Sequence, residues 1–347
     1  MIEKSLRDRY SRQTVFPRIG DAGQEKLLGS YAVVIGCGAL GCNIASFLVR
    51  AGVGKVRIVD RDFPETHNLQ RQTLFDEEDI RAGLSKAVAA QRHLNKINST
   101  IKIEGIVADF NFSNAEDLCH GADVILDGLD NADTRFLLND VALKNNIPWV
   151  YGGAIGAAGM TMNIIPGRTP CFRCIFPSSP APGTTPTCET AGIVGTTPAV
   201  VGAIQATEAM KILMGDKDIS LDMLLLDVWA GTCEHIKVKP REGCPACGGS
   251  YDFLAAKFTS KASSLCGQSR AIQVVDTTVG GLVLEELAVL LEGVSNVSLA
   301  EDMLRFEAED FQITVFPDGR AIIYNTVDEA QAKSIYEKYI ARFINSA

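Results

Sequence analysis

Four cysteines stand in two CxxC pairs, Cys171-Phe-Arg-Cys174 and Cys244-Pro-Ala-Cys247. Each pair can bite a tetrahedral ion from one turn of chain. Four thiolates fill every position of a Zn²⁺, so such a site would be structural, with no place left for substrate. A redox CxxC is the competing reading, but two pairs without a thioredoxin-like surrounding favour zinc. A second set of residues is built for phosphate. Gly36-Cys-Gly-Ala-Leu-Gly41 permits a tight turn and a close backbone approach, and Asp60 follows at the distance, about 20 residues, where a ribose-binding acid falls. Asp130 suits Mg²⁺ held jointly with phosphate oxygens; a helix N-cap supplied by Asp130 or Asn131 is the plainer alternative. Arg71 and Lys86 are cations available to phosphate or simply to solvent. Cys188 lies among prolines and glycines and can serve as a nucleophile where its thiolate is favoured. Cys37, Cys42, Cys119, Cys233 and Cys266 read as small apolar residues or incidental thiols.

The elements that must position these groups follow from pattern. Tyr31 to Ile35 is a β-branched apolar run, hence a buried strand. It feeds the glycine turn, then an apolar helix stopping at Ala51-Gly52, then a strand from Lys55 to Val59 ending on Asp60. The helix N-terminus after the turn offers N–H groups to phosphate. A helix is expected over Gly23 to Leu28, another from Lys86 to Asn95, strands at Ile101 to Val107 and Val124 to Leu126, and a strand starting at Trp149 to Tyr151. Arg135 and Asn139 share a helix face, four positions apart. The alternation predicts a doubly wound, Rossmann-like parallel sheet with helices on both faces. The polar cluster from His67 to Gln72 falls where such a fold places its ligand crevice. Arg9-Tyr-Ser-Arg-Gln13 alone reads as a solvated basic arm. Ala154 to Met162 reads as close-packed strand and turn, Phe176 to Gly195 as a mobile loop, and Thr197-Pro198 as the opening of a helix ending near Gly215. Residues 1–250 are expected as one domain, 251–270 as a linker, and 271–347 as a small α+β domain with a turn at Pro317-Asp-Gly319 and a last helix from Asp328.

Composition narrows the function classes. The chain of 347 residues is 46% hydrophobic, with 22% charged residues and a net charge of −9, which argues against nucleic acid as the main partner. No apolar run approaches the length of a membrane span, and the N-terminal residues do not form a signal peptide. Ten cysteines in that setting point to a reducing cytoplasm, with thiols used for metal or chemistry.

Taken together the motifs resemble one family, the E1-like adenylyltransferases of the ThiF/MoeB/HesA type, related to the adenylation half of ubiquitin-activating enzymes. The resemblance runs over about residues 5 to 249. It is carried by Arg9-Tyr-Ser-Arg-Gln13, Gly36 to Gly41, Asp60-Arg-Asp62, Asn68-Leu-Gln-Arg-Gln72, Lys86, Asp130-Asn131, the two CxxC pairs and Cys188-Glu-Thr-Ala-Gly192. It implies binding of ATP·Mg²⁺ and adenylation of the C-terminal glycine of a small ubiquitin-like sulfur carrier of the ThiS/MoaD type, ending in Gly-Gly. It also implies a cytoplasmic homodimer. By matching position, Gly36, Gly38, Ala39 and Gly41 would cradle phosphate and Asp60 would hold the ribose. Asn68, Arg71 and Lys86 would hold the triphosphate, Asp130 would bind the magnesium, and Asp62, Gln70, Gln72 and Asn131 would line the same cofactor site. Arg12 would reach into the partner subunit's site. Cys188 matches a cysteine that in some members carries a persulfide-linked or thioester intermediate and in others is dispensable. Two departures stand out. Ala39 replaces a glycine often found in the turn, and no rhodanese domain follows, so sulfur would come from a separate donor, a cysteine desulfurase or rhodanese. The competing readings are an NAD-dependent oxidoreductase using the same turn, a peptide-modifying adenylyltransferase of the same family, and a non-catalytic scaffold for the carrier.

Overall fold

The computed structural model describes residues 4–180, 188–257, 262–264, 271–274, 282–291, 297–300 and 303–341. The chain divides into two compact units, Met1–Lys257 and Phe258–Ala347. In the first, α1 (Lys4–Thr14) and α2 (Gly20–Leu28) precede β1 (Tyr31–Ile35), α3 (Ala39–Ala51) and β2 (Lys55–Asp60). A 3₁₀ turn at Thr66–Asn68 and the short α4 (Glu77–Arg81) lead to α5 (Lys86–Ile97) and β3 (Lys102–Val107). Then come α6 (Ala115–Cys119), β4 (Val124–Asp127), α7 (Ala132–Lys144), β5 (Trp149–Ile155) and β6 (Ala158–Ile164). The unit continues with α8 (Phe172–Ile175), α9 (Cys188–Ala191), α10 (Thr196–Met214), β7 (Met223–Asp227) and β8 (Thr232–Ile236).

These strands form one sheet in the order β3-β2-β1-β4-β5-β6-β7-β8. Successive residues of β1 feed two different cores. Ala32 and Val34 meet Ile44, Leu48, Leu94 and Ala209 on one face, while Val33 and Ile35 meet Phe136, Leu138 and Val141 on the other. A strand covered on both faces has no need of polar alternation, which explains the continuous apolar run. From β3 to β5 the pairing is parallel. The order reverses at β1, so the crevice between β1 and β4 is the topological switch point.

The remaining half departs from the expected parallel sheet. β5 pairs antiparallel with β6 in the register Ile155↔Ala158, and β6–β7 and β7–β8 continue antiparallel. The two-residue connection Gly156-Ala157 joins only antiparallel neighbours, because a parallel return needs a crossover of a dozen residues or more. Gly156 there has φ +58.

The basic N-terminal segment is also no solvated arm. It is the second half of α1, with Tyr10 2% exposed and its hydroxyl accepting from Asn98 Nδ2 at 2.9 Å. The ring fills the space a side chain on Gly52 would need. Helix α10 runs further than Thr197-Pro198 suggests only by one residue at its start, and it closes on Gly215 at φ 70.

The second unit pairs β9 (Ala262–Ser264), β10 (Ala271–Val274), β11 (Ser298–Ala300), β12 (Met303–Ala308), β13 (Phe311–Val315) and β14 (Ala321–Tyr324) in the order β11-β12-β13-β14-β10-β9, antiparallel throughout. Helices α11 (Leu284–Leu291) and α12 (Glu329–Tyr336), with a π-helical turn at Glu337–Ala341, pack Leu287, Leu291, Ile335 and Ile340 on Ile272, Phe306, Ile313 and Ile323. Asp328 caps α12. Within the stretch 251–270, expected as a linker, residues 251–257 and 262–264 are described and make specific contacts. Phe253 stacks on Phe136 at 4.8 Å, its N–H donates to Asp140 Oδ2 at 2.9 Å, and Ala262–Ser264 forms β9.

Candidate functional site

The glycine turn is shaped by glycines that touch one another. Gly36 has φ +88, and a side chain there would strike Gly128 O at 2.7 Å. One on Gly41 would meet Gly36 O at 2.0 Å, and one on Gly128 would meet the same oxygen at 2.2 Å. The turn after β1 is therefore wedged against the loop after β4. Gly38 is the N-cap of α3 and no side chain caps that helix, so its first N–H groups face the crevice as an anion site. Ala39 opens the helix with its carbonyl accepting from Asn43 Nδ2 at 2.8 Å.

Asp60 is buried at the end of β2. Its carboxylate accepts the Cys37 N–H at 2.5 Å and the Asp62 N–H at 2.7 Å, so turn and acid are built as one piece. Lys86, buried at the start of α5, points its Nζ to Asp62 Oδ2 at 3.5 Å. Burial pulls the Lys86 ammonium down, but Asp62, Asp60 and Asp130 outweigh it and keep it charged. Burial pushes the Asp60 carboxyl up, with Lys86 pulling the other way. The crevice thus keeps a buried, charged ammonium beside the glycine turn.

The cluster from Asn68 to Gln72 is brought to the same edge, but its members are not alike. Asn68 is buried and its Oδ1 closes the turn by accepting the Glu65 N–H at 3.1 Å. Arg71 donates to its own helical turn at His67 O, 2.8 Å away. Gln70 is exposed. Gln72 is buried with its Oε1 lacking a hydrogen-bond partner, and its Nε2 stands beside Gly38. An orphaned polar atom next to a phosphate turn is what a ligand-binding crevice leaves unsatisfied.

The loop after β4 settles the choice of cap. Asn131 Oδ1 accepts the Thr134 N–H at 2.9 Å and caps α7. That leaves the exposed Asp130 carboxylate free of the capping role. Two residues assigned no function from the sequence hold this loop. Asp127 ends β4, fully buried, and accepts from Arg135 Nε at 2.9 Å and from the Leu129 N–H at 2.9 Å. Arg135 Nη2 also donates to Leu129 O at 2.6 Å and Gly152 O at 2.9 Å. The signal in the sequence is an acid closing the buried run Val124 to Leu126. Burial pushes the Asp127 carboxyl up and Arg135 draws it partly back. Arg135→Ala leaves that carboxylate buried and unpaired, so an expected loss of about 3–5 kcal/mol should appear as a lower urea midpoint. An unchanged midpoint would mean the loop stands without the pair.

The four paired cysteines converge. Cys171 and Cys174 Sγ atoms are 3.7 Å apart, Cys171 and Cys244 3.6 Å, and Cys174 and Cys247 3.5 Å. A ZnS₄ tetrahedron with bonds of about 2.3 Å has edges of about 3.8 Å, so the thiols fit zinc. Unaided they resist ionising together: burial and the neighbouring thiols push Cys171 up, and burial first among the causes raises Cys247 to about 11. A divalent cation resolves that conflict. Asn139 sets the first pair by accepting the Phe172 N–H at 2.8 Å. Arg173, between the first two cysteines, donates to Asp252 at 3.2 Å, just beyond the second pair. Asp76, Asp79 and His93 also cluster, but His93 Nε2 already bridges both Asp79 oxygens at 3.0 and 2.9 Å.

Of the expected site residues, Arg12 lies away from the crevice of its own chain. Arg12 is exposed on α1, which is fastened at the opposite end of the sheet by Arg9 to Ile97 O and Gln13 to Ala51 O. Of Cys188 the backbone is described, as the first residue of α9 in what was expected to be loop. The residues after it are pinned, Gly156 N donating to Gly192 O and Val194 N to Gly156 O, both at 3.0 Å. Gly195 then lies so close to Gln70 O that an added Cβ would be 2.7 Å away. Pro182, Gly183 and Pro186, and Cys266 further on, lie outside the described residues. Cys37 and Cys42 are buried beneath the glycine turn and Cys119 in the core, while Cys233 is exposed on β8.

Fold and crevice define a nucleotide-binding α/β protein with a four-cysteine group that fits a metal ion. Residues 10–246 match the ThiF family, and the chain belongs to that family. The sulfur carrier protein ThiS adenylyltransferase of Bacillus subtilis is 39% identical over 336 residues, covering 96% of this chain and 99% of the relative, so the likeness extends into the second unit. The SAMP-activating enzyme E1 of Haloferax volcanii is 40% identical over 250 residues, 71% of this chain and 91% of that one. A crystal structure of Escherichia coli MccB with succinimide superposes with a TM-score of 0.61 at 22% identity, over 69% of this chain and 74% of that one; this is a likeness of fold. No helix among the described residues is long and apolar enough to cross a membrane.

Proposed function

We propose that this protein uses ATP to adenylate the C-terminal glycine of a small ubiquitin-like sulfur carrier. The carrying observation is the convergence, at the carboxyl ends of β1, β2 and β4, of an uncapped helix start, a buried Asp60, a buried Lys86 and an exposed Asp130. The carrier carboxylate attacks the α-phosphorus, an acyl–phosphate bond forms, and the bond to the β-phosphate oxygen breaks to release pyrophosphate. Asp60 holds the ribose. Arg71 and Lys86 neutralise the phosphates as charge moves to the leaving group and Asn68 hydrogen-bonds them, with Gln70 and Gln72 lining the crevice and Asp62 orienting Lys86. Asp130 is the residue that would hold magnesium, which would supply Lewis-acid stabilisation of the same charge. No protein nucleophile is needed for this step.

The reading extends to a homodimer in which Arg12, remote from its own crevice, enters the partner subunit's site. The exposed Val15, Phe16, Phe47 and Val200 offer apolar surface for such an interface; a single-chain mass in solution would end this part. A separate cysteine desulfurase or rhodanese supplies sulfur, in a reducing, cytoplasmic setting that keeps the thiols free.

Purified protein with Mg²⁺, a Gly-Gly carrier and labelled pyrophosphate should exchange label into ATP; no exchange, and no protection from melting by ATP, would overturn the reading. Cys188→Ser should leave exchange nearly intact and slow carrier thiocarboxylate formation once the sulfur donor is added. Delivery of sulfur at the wild-type rate, with no adduct at this position by mass spectrometry, would make Cys188 chemically idle.

A further inference from the structure

Arg61 directly follows the ribose-binding acid, and none of the roles above uses it. Its Nη1 donates to Asp109 Oδ1 at 2.6 Å, and its Nε lies 3.7 Å from Asp62 Oδ1. The side chains of Arg61 and Asp109 are 24% and 17% exposed, so the pair is half-sunk in the crevice edge. Asp109 stands just past β3, and β2 and β3 are neighbours whose ends pair as Asp60↔Val107. The Arg61–Asp109 bond therefore spans the gap between the carboxyl ends of these two strands.

The order of groups along that edge fixes where a bound nucleotide runs. Phosphates belong at the turn after β1 and the ribose at Asp60 on β2. Continuing outward, the base arrives over β2 and β3, where Arg61 lies. We propose that Arg61, held in place by Asp109, is the platform on which the nucleobase stacks, with Asp109 as its positioning residue. A guanidinium is planar, delocalised and weakly hydrated, and it stacks on aromatic faces in a way an ammonium cannot. This inference rests on the reading of the crevice as an ATP site.

The test is calorimetric titration of the purified full chain with Mg²⁺ and either ATP or inorganic tripolyphosphate. Arg61→Ala should weaken ATP binding about tenfold, within the range that base stacking contributes, and leave tripolyphosphate binding unchanged. Arg61→Lys keeps the charge and the partner Asp109 but loses the plane, and should show most of the same loss. In exchange assays both variants should raise KM for ATP with kcat retained at saturation, the signature of lost uniform binding. An equal loss for tripolyphosphate, full rescue by lysine, or unchanged ATP affinity in Arg61→Ala would each overturn the platform. Wild-type protein that ignores ATP would overturn the nucleotide reading and the platform with it.

Discussion

Asp130→Ala is expected to lower ATP–pyrophosphate exchange about 100- to 1000-fold, the scale on which removing a preorganised electrostatic group at a charge-developing centre acts. The reason is specific to the loop. Asn131 caps α7, and Asp127 with Arg135 holds the backbone on either side of Leu129, so Asp130 is not needed to build the loop it stands on. Its negative charge favours the charged forms of Lys86 and Arg61, after the larger effects of their nearer carboxylates. The variant should therefore melt like the wild type while losing activity. Asp130→Asn, which keeps the shape but not the charge, should be nearly as impaired. Exchange surviving within tenfold in both variants would remove Asp130 from the metal role.

Loss of the zinc should do the opposite, costing the fold before the chemistry. The four thiols join the turn after β6 to the segment at Cys244 and Cys247, and through Arg173 and Asp252 they also fix residues 251–257. Structural zinc contributes on the order of 10 kcal/mol, comparable with the whole stability of a domain at about 5–15 kcal/mol. Cys171→Ser, or a strong chelator, should abolish cooperative melting of the first unit, and elemental analysis of intact protein should find about one zinc per chain. Because the thiols must lose their protons to bind, chelator sensitivity should increase as the pH falls. Metal-free protein with an unchanged melting temperature would exclude a structural metal.

What was legible in the sequence is what short spacing encodes. The β1–turn–α3–β2 unit could be read from Tyr31 to Asp60 because strand, glycines, helix and acid act on neighbours within one supersecondary unit. The cysteine pairs could be read because each CxxC is itself a half-site. The helix from Thr196 to Met214 announced both ends, in Thr197-Pro198 and in Gly215. Tertiary structure decided the rest. Strand direction is not written in a strand's own pattern, so the antiparallel half of the sheet emerged only from the two-residue turn at Gly156-Ala157 and its partners. Tyr10 became core because Gly52 and Asn98, distant in sequence, shape a place for its ring. Gly128 had to lack a side chain because Gly36 O lies against it, and Gly195 because Gln70 O does. The Asp127–Arg135 pair and the Arg61–Asp109 bridge are likewise contacts between elements. The local sequence determined which groups could bind phosphate, ribose and metal; only the packed sheet determined which of them share one crevice, because proximity across strand ends depends on topology that no single segment contains.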